Sequence, residues 1–262
     1  MYTLNLDPVI FSIGSLDIKW YSLFYLLGFV FLYAALKYVS IKKGIEGLNE
    51  EKIENFLIYA VLGIVIGSRL GYFLFYNISE LFTLELFKFW NGGLSFHGGL
   101  IGGLIATALF SKKNKISFLP LFNISILAGI FALALGRIAN FINGRLVGTE
   151  FDGLGCVVFP AFDNVCRHPY PIYASISHFL LFGYLMLIIY FHRHWIKNFL
   201  GRLTITINFL IGYGILRIIT DIWKVDNVIL GIKTGQWLSV FMIIAGIILL
   251  FYEKAPRIGK KK

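Results

Sequence analysis

Long apolar runs, interrupted at intervals by short charged segments, set the pattern of this 262-residue chain. About 20 apolar residues span the hydrocarbon layer of a bilayer, so charge-poor stretches near that length predict where the chain crosses. Seven are predicted: Trp20 to Leu36, Asn55 to Tyr76 with Arg69 inside it, Phe89 to Ser111 with His97 near its start, Ile116 to Phe141 with Arg137 late in it, Pro169 to Phe191, Leu203 to Leu216 with Arg217 and Asp221 at its end, and Thr234 to Tyr252. These continuous runs lack the alternation of a membrane barrel, so the elements are helices. The expected fold class is an all-α polytopic membrane protein with about seven transmembrane helices. It forms a single integral membrane domain over residues 1–262, with an extramembrane outward loop at about 144–168.

Composition agrees with a chain built for lipid. Apolar residues make up 58%, aromatic residues 17% and charged residues 15%, with a mean hydropathy of +0.77. That excludes a water-soluble globule. The net charge of +10 would suit nucleic acid only if it formed a basic face on a soluble module. Instead, fifteen Lys and Arg fall in alternate segments (Lys37 to Lys52, Lys112 to Lys115, Arg193 to Arg202, Lys254 to Lys262), against six in the opposite set. Positive charge beside helix ends stays cytoplasmic, which places the N-terminus outside and the C-terminus in the cytoplasm. Nucleic acid drops out as a partner, and no cleavable signal peptide is expected ahead of the first span.

Arg69, Arg137 and Arg217 lie within spans, where each costs roughly 2.5 to 3.5 kcal/mol at mid-bilayer. The predicted topology puts all three, with His97, in the outer half. Each arginine has a plain reading, snorkelling to the interface. Together they read as a receiver for an anion, and the abundant anion at that depth is lipid phosphate. His97 sits in a run from Asn91 to Gly103 that holds six glycines. Close helix packing explains part of that run. His97 itself is open to two readings, a satisfied core histidine or a mover of protons near neutral pH.

Gly136-Arg137-Ile138-Ala139-Asn140-Phe141-Ile142-Asn143-Gly144, followed by Gly148, resembles the signature of the prolipoprotein diacylglyceryl transferase family. Ser95-Phe96-His97-Gly98-Gly99-Leu100-Ile101-Gly102 is similar to a second segment of that family. Asp7-Pro8-Val9-Ile10-Phe11, Trp20-Tyr21, Arg69-Leu70-Gly71-Tyr72, Tyr76-Asn77, Arg167-His168-Pro169, Gly212-Tyr213-Gly214 with Arg217, and Gly235-Gln236 extend the likeness over nearly the whole chain. It departs at Arg145, where an acidic residue is usual, at Ala174 in place of a glutamate, at Asn123 in place of an acidic residue, and at Asp221, shorter than the usual glutamate.

The resemblance implies a multi-pass enzyme of the bacterial inner membrane with its active site toward the outer leaflet. It would move diacylglyceryl from phosphatidylglycerol to the thiol of a lipobox cysteine in a preprolipoprotein signal peptide, so its partners are that phospholipid, the signal peptide and membrane lipid. The catalytic residues it implies are His97, Arg137 and Arg217. Phosphatidylglycerol would be bound by Arg137, Asn140, Asn143, Arg69 and Tyr21. No metal or redox cofactor is implied, since His, Cys and carboxylates show no ligand spacing. A lipid- or lipoprotein-binding paralogue without this turnover is the alternative, and a lipid transporter a more distant one. Cys156 and Cys166 lie in the outward loop, either paired in an oxidising compartment or unpaired as small hydrophobes. Tyr76 to Trp90 is expected along the interface and Lys37 to Glu54 as a solvated linker.

Overall fold

The computed structural model describes residues 2–14, 16–88, 93–226 and 228–254. Asn91 and Gly92 of the glycine run, and Arg257 and Lys260 to Lys262 of the basic tail, lie outside the described residues. The long helices are α1 (Trp20–Ile41), α2 (Glu50–Tyr76), α3 (Phe96–Asn114), α4 (Phe118–Ile142) and α5 (Tyr170–Phe191); after the short α6 (Ile196–Leu200) come α7 (Thr204–Thr220) and α8 (Thr234–Lys254). Among the described residues, six of them are long and apolar enough to cross a membrane: α1, α2, α4, α5, α7 and α8. The third predicted span is helical but starts at Phe96, later than expected. It falls outside the six because His97, four glycines, Lys112 and Lys113 dilute its apolar residues. Leu26, Val30, Ile58, Leu62, Leu180 and Ile248 are exposed on these helices. Such faces are costly in water and at home in hydrocarbon. The protein is an α-helical, multi-pass membrane protein.

Its residues form two compact units, one of residues 1–32 and 125–262, the other of residues 33–124. In the smaller unit, α2 and α3 cross on small residues. A Cβ on Gly67 would overlap the Gly98 carbonyl, one on Gly102 the Gly63 carbonyl, and one on Gly63 would lie 2.5 Å from the Ala106 Cβ. Gly63, Gly67 and Gly71 face Gly98, Gly102 and Ala106 at a repeat of four, the spacing that lets two membrane helices bring their backbones together. Gly99 lies against the Ser68 hydroxyl and Gly103 against Ile64, so packing accounts for more of the glycine run than the sequence suggested. Asn49 caps α2 by accepting from the Lys52 N–H at 2.9 Å, with Glu50 and Glu51 in its first turn. The expected linker from Lys37 to Glu54 is therefore mostly helix. Only residues 42–49 connect α1 to α2; Ile45 and Leu48 are buried there, as is Ile53 in the first turn of α2.

In the larger unit, α1 and α4 approach at Gly28 and Ala132, beside a cluster of Phe31, Phe131 and Phe182. The Ser175 hydroxyl on α5 donates to the Ala134 carbonyl on α4 at 2.9 Å. Gly214 and Gly246 seat α7 against α8. Sequence reading missed the strands. β1 (Tyr2–Thr3) runs parallel to β4 (Val157–Val158), which pairs antiparallel with β5 (Cys166–Arg167). Hairpins form from β2 (Val9–Ile13) with β3 (Leu16–Lys19), and from β6 (Val228–Ile229) with β7 (Ile232–Lys233). Leu4, Val147, Val157 and Phe159 form a small core with Phe141 beside it, so the segment after α4 is a folded cap rather than a bare loop. Cys156 and Cys166 are disulfide-bonded within it, which resolves the two readings of the cysteines.

Candidate active site

Arg137 and Asn140 lie three residues apart near the end of α4, a spacing that sets both on one helix face. The chain leaves the helix through main-chain bonds from Asn143 N–H to Ala139 at 2.9 Å and from Arg145 N–H to Asn140 at 2.8 Å, which fixes Asn143 next to them. Tyr21 and Tyr25, one turn apart on α1, share a hydroxyl contact at 3.1 Å. Arg137 is near enough for its charge to act on the rings of Tyr25, Tyr170 and His178. Arg217 acts on Tyr170 and His178 as well, and on Tyr213. Tyr170 and His178 thus lie within electrostatic range of both guanidinium groups. His178 is 3% exposed and lies flat on Tyr213, with ring centroids 5.4 Å apart.

Among the described residues of this unit, four side-chain atoms are buried without a hydrogen-bond partner: Arg137 Nε, Asn143 Oδ1, His178 Nδ1 and Asp221 Oδ2. An unpaired buried polar atom is costly, so each of these is a place where a water, an ion or a ligand would supply the missing partner. Asp221 is fully buried. Its Oδ1 accepts from the Tyr170 hydroxyl at 2.7 Å, and its Oδ2 lies 3.0 Å from Arg217 Nε. That last separation suits a charge pair, yet the N–H is not aligned on the oxygen, so Oδ2 remains unpartnered as a hydrogen-bond acceptor.

The cap rises directly from these residues. Gly148 is enclosed by His168 and the Trp223 carbonyl, where a Cβ would overlap both. Thr149 N–H donates to the Trp223 carbonyl at 2.8 Å. The Arg167 guanidinium, hydrogen-bonded to Asp163, holds that carboxyl below the usual carboxylate range. His168 stacks on Phe151 at 4.1 Å and faces the Tyr173 hydroxyl at 3.2 Å; burial pushes its imidazole below the ordinary histidine value.

Arg69 and His97 belong to the smaller unit. Arg69 is 3% exposed and donates to four main-chain carbonyls: Leu86 and Gly93 at 3.1 Å, Glu85 at 2.5 Å and Lys88 at 2.9 Å. It also lies over the Phe73 ring. Its guanidinium thereby ties Glu85, Leu86, Lys88 and Gly93 to α2. His97 is the second residue of α3, half-buried, in a turn capped by the Ser95 hydroxyl accepting from Gly98 N–H at 3.3 Å.

Sequence reasoning missed Tyr25, Tyr170 and His178. Tyr25 had a signal, standing one turn after Tyr21. His178 was passed over because spans were delimited by acidic and basic residues, and a histidine interrupts neither. Tyr170 had no local signal, because its partner is 51 residues away.

A family model described as prolipoprotein diacylglyceryl transferase matches residues 8–252. The chain belongs to the prolipoprotein diacylglyceryl transferase family. Among its relatives is a phosphatidylglycerol–prolipoprotein diacylglyceryl transferase of Ehrlichia canis (strain Jake), 38% identical over 98% of both chains. One of Rickettsia bellii (strain OSU 85-389) is 37% identical over the same share of each. One of Neisseria meningitidis serogroup B is 37% identical over 92% of this chain and 94% of its own. Against the family pattern, Arg145 falls at an exposed position, whereas Ala174 and Asn123 are buried, the latter in the smaller unit.

Proposed function

We propose that the protein transfers diacylglyceryl from phosphatidylglycerol to the lipobox cysteine thiol of a preprolipoprotein, the first step of lipoprotein maturation. The observation that supports this reading is the set of buried side-chain atoms without a hydrogen-bond partner, Arg137 Nε and Asn143 Oδ1 among them, in the unit that also holds Arg217. The thiol gives up its proton, its sulfur bonds to the glycerol carbon, and that carbon's bond to the phosphate oxygen breaks. The phosphate takes the electron pair and leaves as glycerol phosphate. Arg137 holds the phosphate with Asn140 and Asn143 orienting it, and Arg217 is a second anion clamp. Charge developing on the leaving phosphate is stabilised most where water is excluded and the donors are already in place. Tyr21 lines the lipid's approach, His97 is the candidate proton acceptor, and Arg69 positions the segment that leads to His97.

The protein sits in the bacterial inner membrane with seven crossings, its N-terminus outside and its site toward the outer leaflet. The cap at residues 144–168 lies outside the membrane, and its disulfide suits an oxidising compartment. The test is purified protein in phosphatidylglycerol micelles with a lipobox peptide, read by peptide mass. A gain of one diacylglyceryl on the cysteine, absent for a Cys-to-Ser peptide, is expected. Phosphatidylglycerol binding without any gain would assign the chain to a lipid-binding paralogue instead.

A further inference from the structure

Arginine is a useful anion clamp only when its long side chain is held in one place. Arg217 stands in the last turn of α7, and its charge partner Asp221 follows at a spacing of four, a pairing that an exposed helix holds loosely. Here the carboxylate is fixed from several sides. Tyr170, fully buried, donates its hydroxyl to Oδ1 at 2.7 Å. The Lys233 ammonium donates to the main-chain oxygen of Asp221 at 2.7 Å. Gly235 leaves the remaining space, since a Cβ there would overlap Oδ2 and come within 3.3 Å of the Arg217 guanidinium. Tyr170 is itself anchored through its backbone: it is the first residue of α5, follows Pro169, and its N–H donates to the His168 carbonyl at 2.8 Å. Ala174, one turn further along α5, is buried and carries no polar group, so the start of α5 addresses the ion pair through Tyr170.

We infer that Tyr170 is a positioning residue for Arg217, acting through Asp221. The phenol's hydrogen bond sets the rotation of the carboxylate, and the carboxylate sets where the guanidinium stands. This inference rests on the reading of Arg217 as an anion clamp.

The test is a double-mutant cycle of Tyr170→Phe, Arg217→Lys and both together, with kcat/KM for thioether formation, phosphatidylglycerol binding and detergent melting temperature measured on all four proteins. Tyr170→Phe is expected to lower kcat/KM about tenfold, and by less than about twofold once Arg217 is already lysine. Equal losses in both backgrounds, or none in the single variant, would overturn the inference. So would failure of Tyr170→Phe to fold while Arg217→Lys folds, because the phenol would then serve the fold and not the clamp. A wild-type protein that makes no thioether counts against the transferase reading alone. The cycle is then read from phosphatidylglycerol binding, where the same non-additivity supports the inference and additive losses overturn it.

Discussion

In the smaller unit the buried guanidinium of Arg69 finds the main-chain oxygens of Glu85, Leu86, Lys88 and Gly93, whereas in the larger unit Arg137 Nε, Asn143 Oδ1, His178 Nδ1 and Asp221 Oδ2 are buried with no hydrogen-bond partner. Among the described residues, no such atom lies in the smaller unit. Arg69 and Arg137 look alike in sequence, each inside an apolar span; what separates the two is whether the fold itself satisfies the guanidinium. One unit uses its arginine and its glycines to hold helices and a loop together. The other leaves buried polar atoms that the fold does not pair.

If the smaller unit is scaffold, the largest effect there comes from its helix crossing. Gly102→Leu forces a side chain into the Gly63 carbonyl and should cost about 3 kcal/mol or more, seen as a large fall in detergent melting temperature. A variant that melts like wild type would show that the crossing is looser than described. In the larger unit, removing the cap's disulfide with Cys156→Ser and Cys166→Ser should cost about 2 to 3 kcal/mol and speed proteolysis between residues 144 and 168. Unchanged cleavage would mean that the Leu4, Val147, Val157 and Phe159 core holds the cap unaided. Arg69→Met strands several carbonyls and should cost about 2 kcal/mol of stability. A weakened affinity for phosphatidylglycerol with unchanged melting would instead restore Arg69 as a lipid contact. The smallest effect is titration of His168. Its folded value lies below the ordinary 6.5, so the unfolded chain binds the proton more readily. Stability is complete above about pH 6.5 and declines below it, by less than about 1 kcal/mol at pH 5.5. The pH dependence of cap proteolysis, compared with His168→Gln, checks this, and a flat comparison would contradict it.

Much of this arrangement could be read from the sequence because the bilayer imposes one simple rule on the chain. Apolar length marked the long helices, and a charged residue inside a run marked Arg69, Arg137 and Arg217. The third helix strained that rule, because glycines that serve the crossing with α2 also lower its hydropathy. The outward segment at 144–168 was expected, but its strands escaped notice because two-residue strands leave no periodicity, and their parallel pairing joins Tyr2 to Val157 across most of the chain. The difference between Arg69 and Arg137 was also invisible. It depends on the main-chain carbonyls of Glu85, Leu86, Lys88 and Gly93, whose placement no side-chain pattern records. The partnership of Tyr170 with Asp221 is likewise a product of folding alone.

The claim that chemistry resides on the unsatisfied polar groups of the larger unit is tested most directly by the thioether-forming rate of Arg137→Ala, measured on protein shown to melt like wild type. Loss of a preorganised charge donor should lower turnover by about 10² to 10³-fold. A folded Arg137→Ala protein that attaches diacylglyceryl at the wild-type rate would contradict the account.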